Sequence, residues 1–317
     1  MKKQCFTIDI FVTVVDNFGD MWFAYEFIVA CQREFGDAFQ YVIWTNDVWK
    51  VRIFFWQAGI LEADIVNIED FWFLRKSAIW ISLLHSSIPD LSLFTEKALI
   101  LRIDYLSMDP IWIENNEKEH IISTKNRQVI ELIPSPIIGG AGLIPLYSYT
   151  QEIGSWSKKH ITLFVYEETL ACIDWESFPD DIIVYVFWRV NSIKKNIISL
   201  DYLSVSDFYS LIDSSQFVII RGEVSFAHII QRSVPFFWDI YKNIGWFPSE
   251  QSEQFLSIID ANQEYRKIHQ IINGQRLWRV TYKNLLSALS CTHFSEVHTK
   301  NLIHTVKKYI DRFHNSI

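Results

Sequence analysis

From Phe6 the chain runs as a β-rich apolar stretch, Phe6–Val15, and then breaks into the polar turn Asp16-Asn17-Phe18-Gly19-Asp20. The apolar spacing beyond the turn predicts a helix over 21–35, so this segment reads strand, tight loop, helix. Short apolar strands follow near 41–44, 65–67, 79–83 and 99–103, with helical or irregular stretches between most of them. A second series starts with a strand at 161–166 and continues at 182–188, 197–200, 217–220 and 235–238. Helices at 207–214 and 225–231 alternate with these strands. Beyond about residue 250 the pattern is helical. A final helix at about 295–317 carries the apolar stripe Val297, Leu302, Ile303, Val306, Tyr309 and Phe313. Short strands alternating with helices predict open parallel α/β sheets.

The two series are separated by Ile133–Pro145, IPSPIIGGAGLIP, where three prolines and three glycines in thirteen residues preclude a regular element. The polar stretch 150–159 reads as a linker. The expected organisation is therefore a Rossmann-like domain over 1–150 and another over 151–317, with the final helix packing back on the first. A length of 317 residues suits two cores of that size. Two such halves suggest a cleft between them, and ligands of open α/β sheets sit at the carboxyl ends of the strands.

Composition narrows the function. A net charge of −8 argues against a nucleic-acid partner, which calls for a basic face. Aromatics make up 16% of the chain, with 13 Trp, which reads as aromatic cores or as a stacking surface for a base or sugar. Cys5, Cys31, Cys172 and Cys291 form no CxxC pair and no metal-ligand spacing, and read as buried thiols in a reducing compartment. The histidines give no metal-binding motif, and His120, His228 and the later ones read as surface or capping residues. No metal is expected. Asp9 and Asp16 interrupt the apolar stretch after Met1-Lys2-Lys3, and no run approaches the roughly 20 residues of a membrane span, so the expectation is a cytoplasmic protein that does not engage a membrane.

Two loops carry candidate chemistry. In Asp16–Asp20, Gly19 permits a tight strand-to-helix turn. Asp20 at the helix start is either an N-cap or a general base in a cleft, with Asp16 orienting it. The second loop, Arg221-Gly222-Glu223-Val224-Ser225-Phe226, again joins a strand to a helix. A helix N-terminus suits a phosphate. Glu223 suits ribose hydroxyls, and Ser225 reads as a helix cap or a phosphate contact. Gly139-Gly140-Ala141-Gly142 reads as a hinge or a diphosphate cradle. Phe164, Tyr166, Tyr202 and Phe208 read as core aromatics or as base-stacking residues.

Taken together and in order, several words resemble one family, the elongation factor P arginine rhamnosyltransferases. They are VVDNFGD (Val14–Asp20), DYLSMDPIW (Asp104–Trp112), PSPIIGGAGLIP (Pro134–Pro145), LFVYEE (Leu163–Glu168), FVIIRGEVSF (Phe217–Phe226) and VPFFWDIY (Val234–Tyr241). The resemblance implies a GT-B architecture of two facing Rossmann-like domains with an interdomain cleft. It implies an inverting, metal-independent transferase without a cofactor, with dTDP-β-L-rhamnose as donor and an arginine of translation elongation factor P as acceptor. Asp20 is then the general base and Asp16 its support. Glu223 and Ser225 hold ribose and diphosphate, Phe164 and Tyr202 sandwich the thymine, and Tyr166, Phe208, Arg221, Gly222 and Gly19 complete the donor site. The chain departs from the family pattern at Met21-Trp22, Glu26, Val205 and Val224. Two alternatives follow: a related enzyme with another nucleotide sugar or acceptor, and a non-catalytic relative that only binds nucleotide or elongation factor P.

Overall fold

The computed structural model describes residues 6–15, 19–57, 64–71, 77–84, 86, 97–108, 110–116, 119–122, 127–137, 139–145, 156, 159–190, 194–201, 203–232, 234–240, 248–274, 278–290, 292 and 300–315. The chain divides into two compact units. One comprises Met1–Pro145 with His298–Ile317, the other Leu146–Val297.

Unit 1 is built on a seven-stranded sheet of β1 (Phe6–Val12), β2 (Phe39–Thr45), β3 (Asp64–Asn67), β4 (Ile79–Leu83), β5 (Ala98–Ile103), β6 (Glu119–Ile122) and β7 (Arg127–Leu132). Their order is β3-β2-β1-β4-β5-β7-β6. All pairs are parallel except β6 with β7. Helices α1 (Gly19–Phe35), α2 (Val48–Gln57) and α3 (Pro110–Asn116) follow β1, β2 and β5. Strands β1 and β4 are apolar because both faces of a parallel sheet are covered. Phe11, Trp44, Phe71 and Trp80 pack edge to face in one buried cluster, as the aromatic content foretold. One carboxylate lies inside this core. Asp9, 1% exposed, accepts the Trp44 indole N–H at 2.8 Å and the Ser77 hydroxyl, so its burial is compensated.

Unit 2 holds a five-stranded, all-parallel sheet of β8 (His160–Phe164), β9 (Ile183–Val186), β10 (Ile197–Ser199), β11 (Val218–Arg221) and β12 (Phe236–Asp239), in the order β10-β9-β8-β11-β12. Its helices are α4 (Glu167–Leu170), α5 (Val205–Ser214), α6 (Glu223–Ile229), α7 (Pro248–Ile258), α8 (Gln263–Ile272) and α9 (Tyr282–Ser290). Relabelled from its own first strand this order is 3-2-1-4-5, the same as the first five strands of unit 1. Each sheet therefore reverses direction beside its first strand, between β1 and β4 and between β8 and β11, and such switch points are where doubly wound sheets bind ligands.

The last helix, α10 (Leu302–His314), lies in unit 1. Asn301 caps it, accepting the Ile303 and His304 N–H groups. Lys307 donates to Glu34 of α1 at 2.7 Å, and this ammonium lowers the Glu34 carboxyl below its ordinary value. The glycine-rich loop explains the docking. Leu143 donates to the Lys300 carbonyl and Leu302 donates to the Leu143 carbonyl, both at 2.9 Å. Gly142, at φ +96°, lies so close that a Cβ there would stand 2.1 Å from the Lys300 oxygen. A Cβ on Gly140 would stand 2.4 Å from Ser135 Cβ. Gly140 and Gly142 thus serve close packing, and at these two positions the hinge reading gives way to a tight contact. Most of the expected linker, and residues 295–299 of the expected final helix, lie outside the described residues.

Of the histidines read as surface or capping residues, His304 is exposed, but His228 and His269 depart from expectation. His228 is buried, its ring stacked on Tyr209 at 3.7 Å and its Nε2 3.2 Å from Asp213, so it joins α5 to α6. His160 and His269 are fully buried as well. Each has a polar neighbour: His160 Nε2 lies 3.2 Å from the Leu211 carbonyl oxygen, and His269 Nε2 3.2 Å from the Asn273 amide nitrogen. Cys31 is buried as expected, whereas Cys172 is only half-buried. Burial holds His269 well below its ordinary value, to about 3, and lowers His228. Both groups are depressed in the folded chain, so their contribution to stability is complete above the unfolded value near 6.5 and is lost as pH falls. We expect stability to fall from pH 6.5 towards 5, before carboxylates titrate, by up to about 1.4 kcal/mol per pH unit and per histidine. Urea unfolding across this range checks it; a slope unchanged in His269→Phe would refute the assignment to that ring.

Candidate active site

In unit 1 the site is built at the β1/β4 switch point. β1 ends at Val12, and Gly19 is the first residue of α1. Asp20 is the second helical residue, so it lies inside the helix and is not its N-cap. It is 4% exposed, and its Oδ2 accepts the Val15 N–H at 2.8 Å, holding the loop's descending limb. Two neighbouring strand ends fix the same limb. Thr13 donates to Ser86 Oγ after β4 at 2.6 Å, and Val14 exchanges hydrogen bonds with Asn46 after β2 at 2.7 and 3.3 Å. Ser86 in turn donates to the Leu83 carbonyl, one residue before Leu84, which sits in the left-handed region at φ 52°. Sequence reading missed Ser86 and Asn46, because their role arises only when strand order brings three loops together. Asp16 lies outside the described residues. Trp22 is half-buried, its ring centroid 6.3 Å from Phe54.

In unit 2 the site lies at the β8/β11 switch point. Phe164 ends β8, and two residues on Tyr166 opens α4. Arg221 ends β11, and Gly222 follows as the N-cap of α6 with φ 76° and ψ 165°, a conformation reserved to glycine. Among the described residues nothing lies within 4 Å of where a Cβ on Gly222 would be, so they leave that side of the loop open. Glu223, Val224 and Ser225 form the first turn of α6. Ser225 is buried and is the third helical residue, so the capping role belongs to Gly222 instead. The Arg221 guanidinium lies 4.7 Å from the Phe164 ring and 5.1 Å from the Tyr166 ring, within cation–π range of both, and donates to the Val165 carbonyl at 3.2 Å. Phe164 is half-buried. Phe208, 2% exposed, packs edge to face against it at 5.0 Å and belongs to the core. Val205, also 2% exposed, opens α5 behind its Ser204 cap. Tyr202 lies outside the described residues.

The two sheets, which share the order 3-2-1-4-5 about their first strands, give the chain the GT-B fold of two Rossmann-like domains. Solved structures agree in fold over nearly the whole length. The glycosyltransferase VinC in complex with dTDP superposes with a TM-score of 0.50 at 10% identity, over 98% of this chain and 100% of that one. The spinosyn rhamnosyltransferase SpnG gives 0.51 at 9% identity, over 97% and 96%. MnaA of S. aureus with UDP gives 0.50 at 11%, over 98% of each. No curated protein matches the chain in sequence. The family profile described as elongation factor P (EF-P) rhamnosyltransferase EarP matches residues 141–312, and the chain belongs to that family. Among the described residues no helix is long and apolar enough to cross a membrane.

Proposed function

We propose that the protein transfers L-rhamnose from dTDP-β-L-rhamnose to an arginine side chain of translation elongation factor P, with inversion and in the cytoplasm. Membership of the EarP family supports the acceptor and the sugar. The observation that carries the assignment of roles is topological: Asp20 and the Arg221–Ser225 turn fall at corresponding switch points of the two sheets.

A guanidinium is a poor nucleophile, because its lone pairs are delocalised and it stays protonated. In the proposed reaction Asp20, oriented with Asp16, accepts a proton from the acceptor guanidinium as its nitrogen bonds to the sugar's anomeric carbon. The bond from that carbon to the diphosphate breaks on the opposite face. Gly222, free of a side chain, lets the backbone of Gly222–Ser225 approach the diphosphate, and Arg221 sits beside it with fixed positive charge. Glu223 takes the ribose hydroxyls, Phe164 and Tyr166 form the base shelf with Phe208 beneath, and Tyr202 is assigned to the thymine by the family resemblance alone. The proposal draws on no cofactor and no metal.

Intact-mass measurement of elongation factor P, incubated with the protein and dTDP-L-rhamnose, tests the whole reading. The expected result is one added deoxyhexose, mapped to an arginine. A second reading, a different nucleotide-sugar donor, is favoured by Val205, whose side chain is buried in the core at 2% exposure. Transfer of another sugar, with none from dTDP-L-rhamnose, would establish it instead.

A further inference from the structure

The last two residues of β12 touch both candidate nucleotide loops from opposite faces of the sheet. Trp238 faces α6. Its ring stacks on Phe226 at 4.2 Å, and its indole N–H donates to the Gly222 carbonyl at 3.3 Å. Asp239 points the other way and is fully buried. Its Oδ2 accepts the Tyr166 N–H at 2.8 Å and the Thr169 hydroxyl at 2.7 Å. Register places Asp239 directly beside Arg221 and Trp238 beside Ile220, whose other partner is Phe164. The strand end is itself held. Asn273 accepts the Ile240 N–H at 2.8 Å and donates to the Trp238 carbonyl at 3.0 Å.

We propose that Trp238 and Asp239 are a two-armed brace that presets the nucleotide loops: Trp238 holds Gly222 in its glycine-only conformation, and Asp239 holds Tyr166 at the edge of the base shelf. This rests on the reading of unit 2 as the nucleotide side. Neither side chain touches the ligand. Each removes freedom that binding would otherwise have to remove, so the cost of losing an arm falls on donor affinity. The alternative for a buried tryptophan and aspartate is stability alone, and the two roles separate by measurement.

The experiment is titration of the full chain with thymidine diphosphate, alongside melting temperatures, for Trp238→Phe, Asp239→Ala, Asp239→Asn and Tyr265→Phe. Phe keeps the stack on Phe226 and deletes the bond to Gly222. Asn keeps an acceptor for the Tyr166 N–H, and Ala does not. Tyr265→Phe removes a buried hydrogen bond to the Phe236 carbonyl of the same strand, remote from both loops, and controls for stability. The expected result is about 5- to 10-fold weaker binding for Trp238→Phe and for Asp239→Ala, the size of one lost hydrogen bond. Asp239→Asn and Tyr265→Phe should stay within about twofold of wild type. In turnover the two weakened variants should raise the donor KM and leave kcat at saturation near wild type. Wild-type affinity in both arm variants, or equal weakening in Tyr265→Phe, would overturn the brace. Absence of binding by the wild-type chain would instead overturn the nucleotide reading, and the brace with it. The arms are tested independently, so a variant of one that fails to fold leaves the other to decide.

Discussion

Asp20→Asn is expected to lower transfer at least about 100-fold and to leave thymidine diphosphate binding unchanged, the lower bound for loss of a positioned general base. The asparagine carbonyl still accepts the Val15 N–H that Oδ2 accepts now, so the loop limb held by Ser86 and Asn46 keeps its shape. What disappears is the ability to take a proton. The separation of effects follows from placement, since Asp20 belongs to unit 1 and the proposed nucleotide loops to unit 2. Single-turnover assays with saturating donor, beside a nucleotide titration, decide it. Transfer within tenfold of wild type would remove Asp20 from the reaction, and lost nucleotide affinity would move it to the donor site.

The largest loss of stability is expected from Gly142→Ala. Two penalties coincide there. A φ of +96° is strained for any L side chain, at about 1–3 kcal/mol. The added carbon also meets backbone, the Lys300 carbonyl, which has no rotamer to yield. The chain must separate, and with it go the 2.9 Å bonds Leu143–Lys300 and Leu302–Leu143 that seat α10. A fall of at least about 6 °C in the melting temperature of unit 1 is expected for a domain of this size. Amide exchange should show Leu302–His314 losing protection first. A melting temperature within 2 °C of wild type, with α10 still protected, would show that residues 142 and 300 separate at no cost.

The sheets were legible because their strands are apolar on both faces. Ile79–Leu83 is read to the residue, and the runs at 98–103, 183–186, 218–221 and 236–239 to within a few. β6 and β7 escaped: Glu119, His120, Arg127, Gln128 and Glu131 break the apolar pattern that a central strand displays. The order of strands was invisible in the pattern, and order is what makes the site. VVDNFGD, LFVYEE and RGEVSF each begin in or just after a strand and run into its carboxyl-end loop, but that β1 adjoins β4, and β8 adjoins β11, follows from packing. For the same reason Asp20 was found from its motif, while Ser86 and Asn46 were not, and Trp238 and Asp239 lay inside VPFFWDIY without a role. Their side chains serve loops from which they are separated by 16 to 73 positions. Phe208 and Ser225 illustrate the converse: the sequence singles them out for donor binding, and the fold places one in the core and the other in its helix's first turn.

The return of His298–Ile317 to unit 1 sets an order of assembly on the ribosome. Chains emerge from the N-terminus, and domains fold as units when they are complete. Unit 2 is continuous and is finished first, although unit 1 begins earlier. The segment bearing Asp20 waits with its α1 surface at Glu34 uncovered until α10 arrives. Synthesis halted between the two events leaves unit 2 complete and unit 1 unfinished, so on the proposed division of roles a prematurely released chain would bind donor without consuming it.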